Sequence, residues 1–196
     1  MAIDRLRAAL LQSGATGYRG DWDVTADGPP EIGLALTPAA VLIAITSESE
    51  PQLLLTKRTA NMSRHPGQIA FPGGRVDPGD DTAIAAALRE AEEEVALGRQ
   101  HVEVLGTLDR YETGTGFSIL PVVGLVPPGL LFTPQEREVA EVFHVPFAHV
   151  MDPANHEMRT GEWQGRARRF YVIRHGDREI WGATAGILVN LSKRIG

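Results

Sequence analysis

Three observations predict an α/β fold in which a mixed β-sheet lies between helical layers. Two neighbouring apolar runs have strand length, further strand candidates flank one strongly two-faced helix on both sides, and another helix closes the chain. Residues 3–12 set Ile3, Leu6, Ala9 and Leu10 at helical spacing, ahead of a Gly- and Pro-rich stretch reaching Pro30. Residues 1–35 are therefore expected to be a lead-in to a single domain spanning 1–196. Ala39 to Thr46 and Gln52 to Thr56 read as buried strands joined by a polar turn from Ser47 to Pro51, and so as a hairpin. The connection from Lys57 to Asp81 is too long for a routine turn and is the kind of loop that carries function. Beyond the helix that follows it, strands are expected at Val102–Leu108, Ile119–Val126, Glu141–Val145 and Arg168–Ile173, with a closing helix from Thr184 to Leu191.

Composition narrows the class. The chain has 196 residues, 43% hydrophobic and 22% charged, which suits one folded domain and excludes the signature of disorder. A formal net charge of −6 argues against a broad grip on nucleic acid. Cys is absent, which removes disulfides, a thiol nucleophile and Cys-ligated zinc. No run approaches the roughly 20 apolar residues of a membrane span, and the first residues lack a secretory pattern, so a cytoplasmic address without membrane attachment is expected. The sequence leaves a homodimer open.

The helix after the long loop has two faces. At about 100° per residue, Ile84, Ala87, Leu88, Ala91 and Val95 share one arc, Glu90, Glu93 and Glu94 share another, and Glu92 projects away from the acidic arc as a solvated surface residue. Asp80 and Asp81 stand where a carboxylate can cap the first amides. Carboxylates at i, i+3 and i+4 repel one another unless cations lie between them, and magnesium or manganese would take such oxygens and share them with substrate phosphates. For the helix by itself, a solvated charged face is the plainer alternative. The preceding loop adds Phe71-Pro72-Gly73-Gly74, where the backbone can approach a ligand closely, among the cations Lys57, Arg58, Arg64, His65 and Arg75.

Gly74 to Asp81, followed after seven residues by Arg89-Glu90-Ala91-Glu92-Glu93-Glu94-Val95-Ala96-Leu97, resembles the Nudix box. That pattern runs Gly, five residues, Glu, seven residues, Arg-Glu, an apolar residue, any residue, Glu-Glu, any residue, Gly and an apolar residue. Here six residues separate Gly74 from the acidic position, that position holds Asp81, and the late Gly is Ala96. Upstream, Leu54 to Arg58 and Gly67 to Gly74 resemble the additional motif of the coenzyme A pyrophosphatase branch, with Ser63 where the branch has Arg and Arg64 beside it. The resemblance covers residues 54–97 and extends weakly to Glu138–Phe143 and Trp181–Gly186.

The resemblance implies a Nudix-type α/β/α sandwich that hydrolyses coenzyme A to 3′,5′-ADP and 4′-phosphopantetheine with Mg2+ or Mn2+. By position, Glu90, Glu93 and Glu94 with Gly74 would bind metal. Arg89 would tie the acidic helix to the loop, Glu138 and Glu141 are the candidate general bases, and Arg58, Arg64, Gly73 and Arg75 would bind substrate. Other readings are a Nudix hydrolase of ADP-ribose, NADH or a similar nucleoside diphosphate derivative, and a non-catalytic nucleotide-binding Nudix-like module.

Overall fold

Alternation along the central strands decides which helix covers which face. In β2 (Thr37–Thr46), Ala40, Leu42 and Ala44 point to one side and Ile43 and Ile45 to the other, all of them buried. In β3 (Gln52–Arg58), Leu54 joins the first side, Leu53 and Leu55 the second. β8 (Phe117–Val126) follows the same rule, with Val122 and Val126 opposed to Val123 and Leu125. The first side is covered by α2 (Ala83–Val95) through Ala86, Ala87, Ala91 and Val95. The second is covered by α1 (Ala2–Leu11), α3 (Phe147–Met151) and α4 (Ala183–Ile195) through Leu6, Leu10, Phe147, Val150, Ile187, Leu188 and Leu191. Each large aliphatic side chain so buried contributes about 1.5–3 kcal/mol. The result is the three-layer α/β sandwich that the sequence predicts.

This computed structural model describes residues 2–11, 17–24, 36–61, 66–163 and 165–196. The main sheet runs β1–β7–β8–β2–β3–β4, where β1 is Tyr18–Gly20, β7 Arg110–Glu112 and β4 Ile69–Ala70. β5 (Gly73–Arg75) also pairs with β2, β6 (Glu103–Thr107) with β8, and β9 (Val139–Pro146) with β3. The sheet is mixed: β2 and β8 are parallel over their full length, as are β1 and β7, and the other pairs are antiparallel. A second, antiparallel sheet comprises β10 (His156–Trp163), β11 (Arg166–His175) and β12 (Arg178–Trp181).

Several expectations are corrected. The lead-in is part of the sandwich where it is described, since Leu6 is fully buried and β1 extends the sheet. The hairpin of β2 and β3 is almost unzipped, with Ile45 opposite Leu53 as its one registered pair. The strands part because the long connection is partly extended: β5 lies against β2, with Gly73 opposite Val41 and Arg75 opposite Ala39, while β4 lies against β3. The strand expected at 168–173 is longer and belongs to the second sheet.

Both ends of α2 also differ from the simplest reading. Its N-cap is Thr82, whose hydroxyl accepts the amide of Ala85 at 3.0 Å, and not Asp80 or Asp81. At the other end the amides of Ala96 and Leu97 reach back to the carbonyls of Glu92 and Ala91, and Leu97 is buried beneath the turn. Ala96 is left-handed at φ 58, the one non-glycine residue with positive φ among the described residues. This is the position where the box pattern has Gly, and a Cβ there is strained. Ala96 is exposed, so Ala96→Gly loses little packing. It is expected to raise the unfolding free energy by about 1 kcal/mol, seen as a higher urea midpoint at unchanged slope. An unchanged or lower midpoint would contradict the strain.

Candidate active site

The candidate site forms where the parting of β2 and β3 admits Gly73 and Gly74. Gly73 has φ 153, and a Cβ on it would stand 2.5 Å from the carbonyl oxygen of Ala40 and 2.6 Å from the Cα of Val41. A Cβ on Gly74 would fall 2.5 Å from the carboxylate carbon of Glu90. The first glycine lets β5 lie against β2, and the second lets the helix carboxylate rest on the strand. Glu94 completes the contact by accepting the Gly73 amide at 3.1 Å.

Glu94 is 6% exposed, and burial is the main cause that raises its pKa to about 7. The Gly73 amide and the charge of Arg58 oppose that rise, while the charges of Glu90 and Glu138 add to it. Glu90 is also raised, again chiefly by burial, against the pull of Arg89. Glu90, Glu94 and Glu138 therefore form one electrostatic group.

Glu138 comes to this group through the segment after β8. The amides of Thr133 and Gln135 donate to the carbonyls of Val95 and Glu94 at the end of α2, at 3.1 and 2.8 Å. Gln135 then accepts the amide of Glu138 on its carbonyl and on its side chain. Thr59, just past β3, donates its amide to the Glu138 carbonyl at 3.0 Å. Glu141, the other candidate base, is not brought to this group. On β9 it shares parity with Phe143 and Val145, which face away from α2, and it pairs with Arg178, whose guanidinium lies 4.4 Å from the Phe143 ring centroid. Alternation along residues 139–145 carried that signal in the sequence.

Arg89 binds loop to helix. Its Nε and Nη2 form a fork on Asp80 at 2.9 and 3.0 Å, Nη2 reaches the Arg75 carbonyl at 3.2 Å, and Nη1 donates to Glu90 and Glu93 at 3.1 and 3.0 Å. Asp80 is held below the usual carboxylate range mainly by that fork. The role of Asp80 was not foreseen, because a fork between residues nine apart requires the loop to fold back on the helix. Glu93 turns outward to Arg89 with its side chain 59% exposed, and Glu92 is exposed. Consequently no three Asp, Glu or His side chains among the described residues converge on one point as they lie.

The all-oxygen donor set nevertheless fits a hard divalent ion. Glu90 and Glu94 are fixed against the glycine strand, Glu138 is within electrostatic reach, and burial and mutual repulsion leave the two helix carboxylates short of positive charge.

A cleft of about 590 Å³ adjoins this centre. Arg58, whose Nε is buried without a hydrogen-bond partner among the described residues and whose charge acts on Glu94, belongs to its wall. Phe71, which leads into Pro72 and Gly73, and Phe117, 5.9 Å from the Arg75 guanidinium, line it too. Of the expected substrate-binding residues, Arg58 lines the cleft, Arg75 lies against its Phe117 wall and Gly73 sits on Glu94, while Arg64 lies outside the described residues, as do Ser63 and His65.

The NUDIX domain profile matches residues 36–164, well over half of the chain. The chain belongs to the NUDIX domain family. It is 44% identical over 158 residues to proteins named "Uncharacterized Nudix hydrolase NudL" from Enterobacter sp. (strain 638) and Escherichia coli (strain K12), covering 81% of this chain and 82% of theirs. Among solved structures it is similar to the Nudix hydrolase RenU of M. smegmatis, at TM-score 0.49 and 27% identity over 58% of this chain and 73% of that one. As a Nudix hydrolase it keeps the box glutamates on α2 and departs from the box at Ala96 and in the loop held by Arg89. Among the described residues, no helix is long and apolar enough to cross a membrane.

The metal-free protein should show the cost of Glu94. Its carboxyl titrates at about 7 in the fold against an ordinary 4.5, so between these values the folded chain holds a proton that the unfolded chain has released. Stability then falls as pH rises through that window. In EDTA, Tm should drop from about pH 4.5 to about pH 7, and Glu94→Gln should flatten that part of the curve. The same slope in both proteins would refute the shift.

Proposed function

We propose that the chain hydrolyses the diphosphate linkage of coenzyme A, releasing 3′,5′-ADP and 4′-phosphopantetheine, with Mg2+ or Mn2+ as cofactor. The observation that carries the reading is the adjacency of two sites: a buried carboxylate group on α2 and a cleft whose wall includes Arg58, its buried Nε without a partner among the described residues. Such adjacency suits a substrate with a diphosphate and a further phosphate, and the branch motif supplies the coenzyme A assignment.

In this reading Glu90 and Glu94 hold the divalent ion, and Glu93 joins them once it leaves Arg89. When bound, the ion would neutralise the diphosphate and acidify a coordinated water. Arg58 grips a phosphate, which keeps the substrate beside Glu94. Glu138, tied to the α2 end through Gln135 and to the Thr59 amide just past β3, takes the proton as water attacks phosphorus and the P–O–P bond breaks. Arg89 acts through others, keeping Asp80, Glu90 and the Arg75 carbonyl in place. The enzyme is read as working in the cytoplasm. Hydrolysis of ADP-ribose or NADH is the second reading, since the carboxylate group itself addresses only the diphosphate.

Mass spectrometry of the products formed from coenzyme A in water enriched in heavy oxygen tests the reading. Label in either expected product identifies the phosphorus attacked, and the absence of both products with ADP-ribose or NADH cleaved would favour the second reading. Glu90→Gln and Glu94→Gln should each lower kcat by about 10²- to 10³-fold or more in a folded protein, while Glu92→Gln stays near wild type. Glu138→Gln should cost more than Glu141→Gln. Near-normal turnover in both metal-site variants would sink the assignment. Arg58→Ala should reduce kcat/KM for coenzyme A roughly ten- to a hundredfold more than for dephospho-coenzyme A, which lacks the 3′-phosphate. Equal losses would place Arg58 on the diphosphate.

A further inference from the structure

The second sheet brings to the cleft a group of side chains that hydrolysis at α2 does not use. Phe170 and Tyr171 of β11 and Trp181 at the end of β12 line it together with Phe71 and Phe117. Trp181 is 41% exposed, one of four large hydrophobic residues left open among the described residues, and it meets Phe170 with ring centroids 5.9 Å apart at 58°. A large aromatic ring left partly in water costs apolar burial, and inside a cleft of ligand size it is a ready face for stacking.

The position of Trp181 is tied to the carboxylate centre. Gly182, at φ 65, turns the chain directly from β12 into α4. The hydroxyl of Thr184 at the start of α4 donates to the Ile69 carbonyl at 3.2 Å in the interior. Ile69 and Ala70 form β4, which follows Gln68, and the Gln68 carbonyl accepts the Arg58 amide at 2.9 Å. The indole and Arg58 thus stand on one hydrogen-bonded frame.

We infer that Trp181, backed by Phe170, is the stacking platform for the planar heterocycle of a nucleotide whose phosphate is held at Arg58. The inference rests on the diphosphate reading for the place of the phosphate. The occupant follows from the lining. A flexible aliphatic arm needs only apolar area, whereas ring faces combined with the guanidinium of Arg58 and the polar edges of Gln68 and Thr113 match a heterocycle with hydrogen-bonding edges and a charged ester.

Calorimetric binding, without turnover, provides the test, using adenosine 5′-monophosphate and 4′-phosphopantetheine as probes. Both are phosphate monoesters, and only the first carries a base. Trp181→Ala should weaken binding of the adenosine ester by roughly ten- to a hundredfold, Trp181→Phe should keep most of the affinity, and neither should change binding of the pantetheine ester. Preferential loss of the pantetheine ester would show that the cleft takes the aliphatic arm and would overturn the inference. So would equal losses, unchanged affinities, or a wild-type protein that does not bind the adenosine ester. Because no hydrolysis is measured, failure of the coenzyme A assignment leaves this result readable on its own.

Discussion

The close approach of the Gly73–Gly74 backbone to the carboxylates of Glu90 and Glu94 is the constraint on which the site depends. A side chain at the first position would strike β2, and one at the second would occupy the place of the Glu90 carboxylate. The strand therefore packs against an acidic face of α2 that would otherwise need water. The Gly73 amide partly compensates Glu94, leaving a carboxylate that is expensive to charge in a low-dielectric place. Arg89 supports the arrangement from the loop side by forking Asp80 and sharing its remaining donors.

That constraint also explains the sheet. β2 and β3 separate after one registered pair because β5 and β4 take the edges they would have offered each other. The same chain segment then lines the cleft, so one short stretch from Gln68 to Arg75 joins carboxylates, guanidinium and aromatic wall. In a chain of net charge −6, attraction for an anionic substrate has to be local, and the cleft has Arg58, Arg168 and Arg169 in its wall.

The parts legible in the sequence were those with a long, clean period. β2, β3 and β8 are nearly continuous apolar runs, and α2 sorts Ala87, Ala91 and Val95 from Glu90 and Glu93 over several turns. Glu94 straddles that division, being both acidic and buried, so its contact with Gly73 could not be read from helical angles. β4 and β5 have only two and three residues, too few for any periodicity, and exist because tertiary pairing satisfies their amides. The second sheet was hidden by charge: Arg159 is held by Glu157 and Glu179, so β10 and β12 look like polar loop until cross-strand partners are known. Glu138 and Glu141 both precede an apolar run in the weakly resembling stretch, which does not separate them, whereas the two-residue period of the strand puts Glu141 on the face away from α2.

The segment that closes α2 sets a narrow rule for sequence drift. Thr133 and Gln135 each lend an amide to the helix end, while Pro134 stands between them, at the one residue of the three with no amide to give. The side chain at 133 is free to vary as long as the backbone N–H remains, whereas Gln135 also accepts the amides of Arg137 and Glu138 on its side-chain oxygen and so needs both its N–H and an acceptor. Inserting or deleting one residue in this stretch shifts proline onto a donor position or moves the donors out of step. Homologous chains should accordingly tolerate substitution at 133 far better than a change in length, and keep a side-chain acceptor at 135.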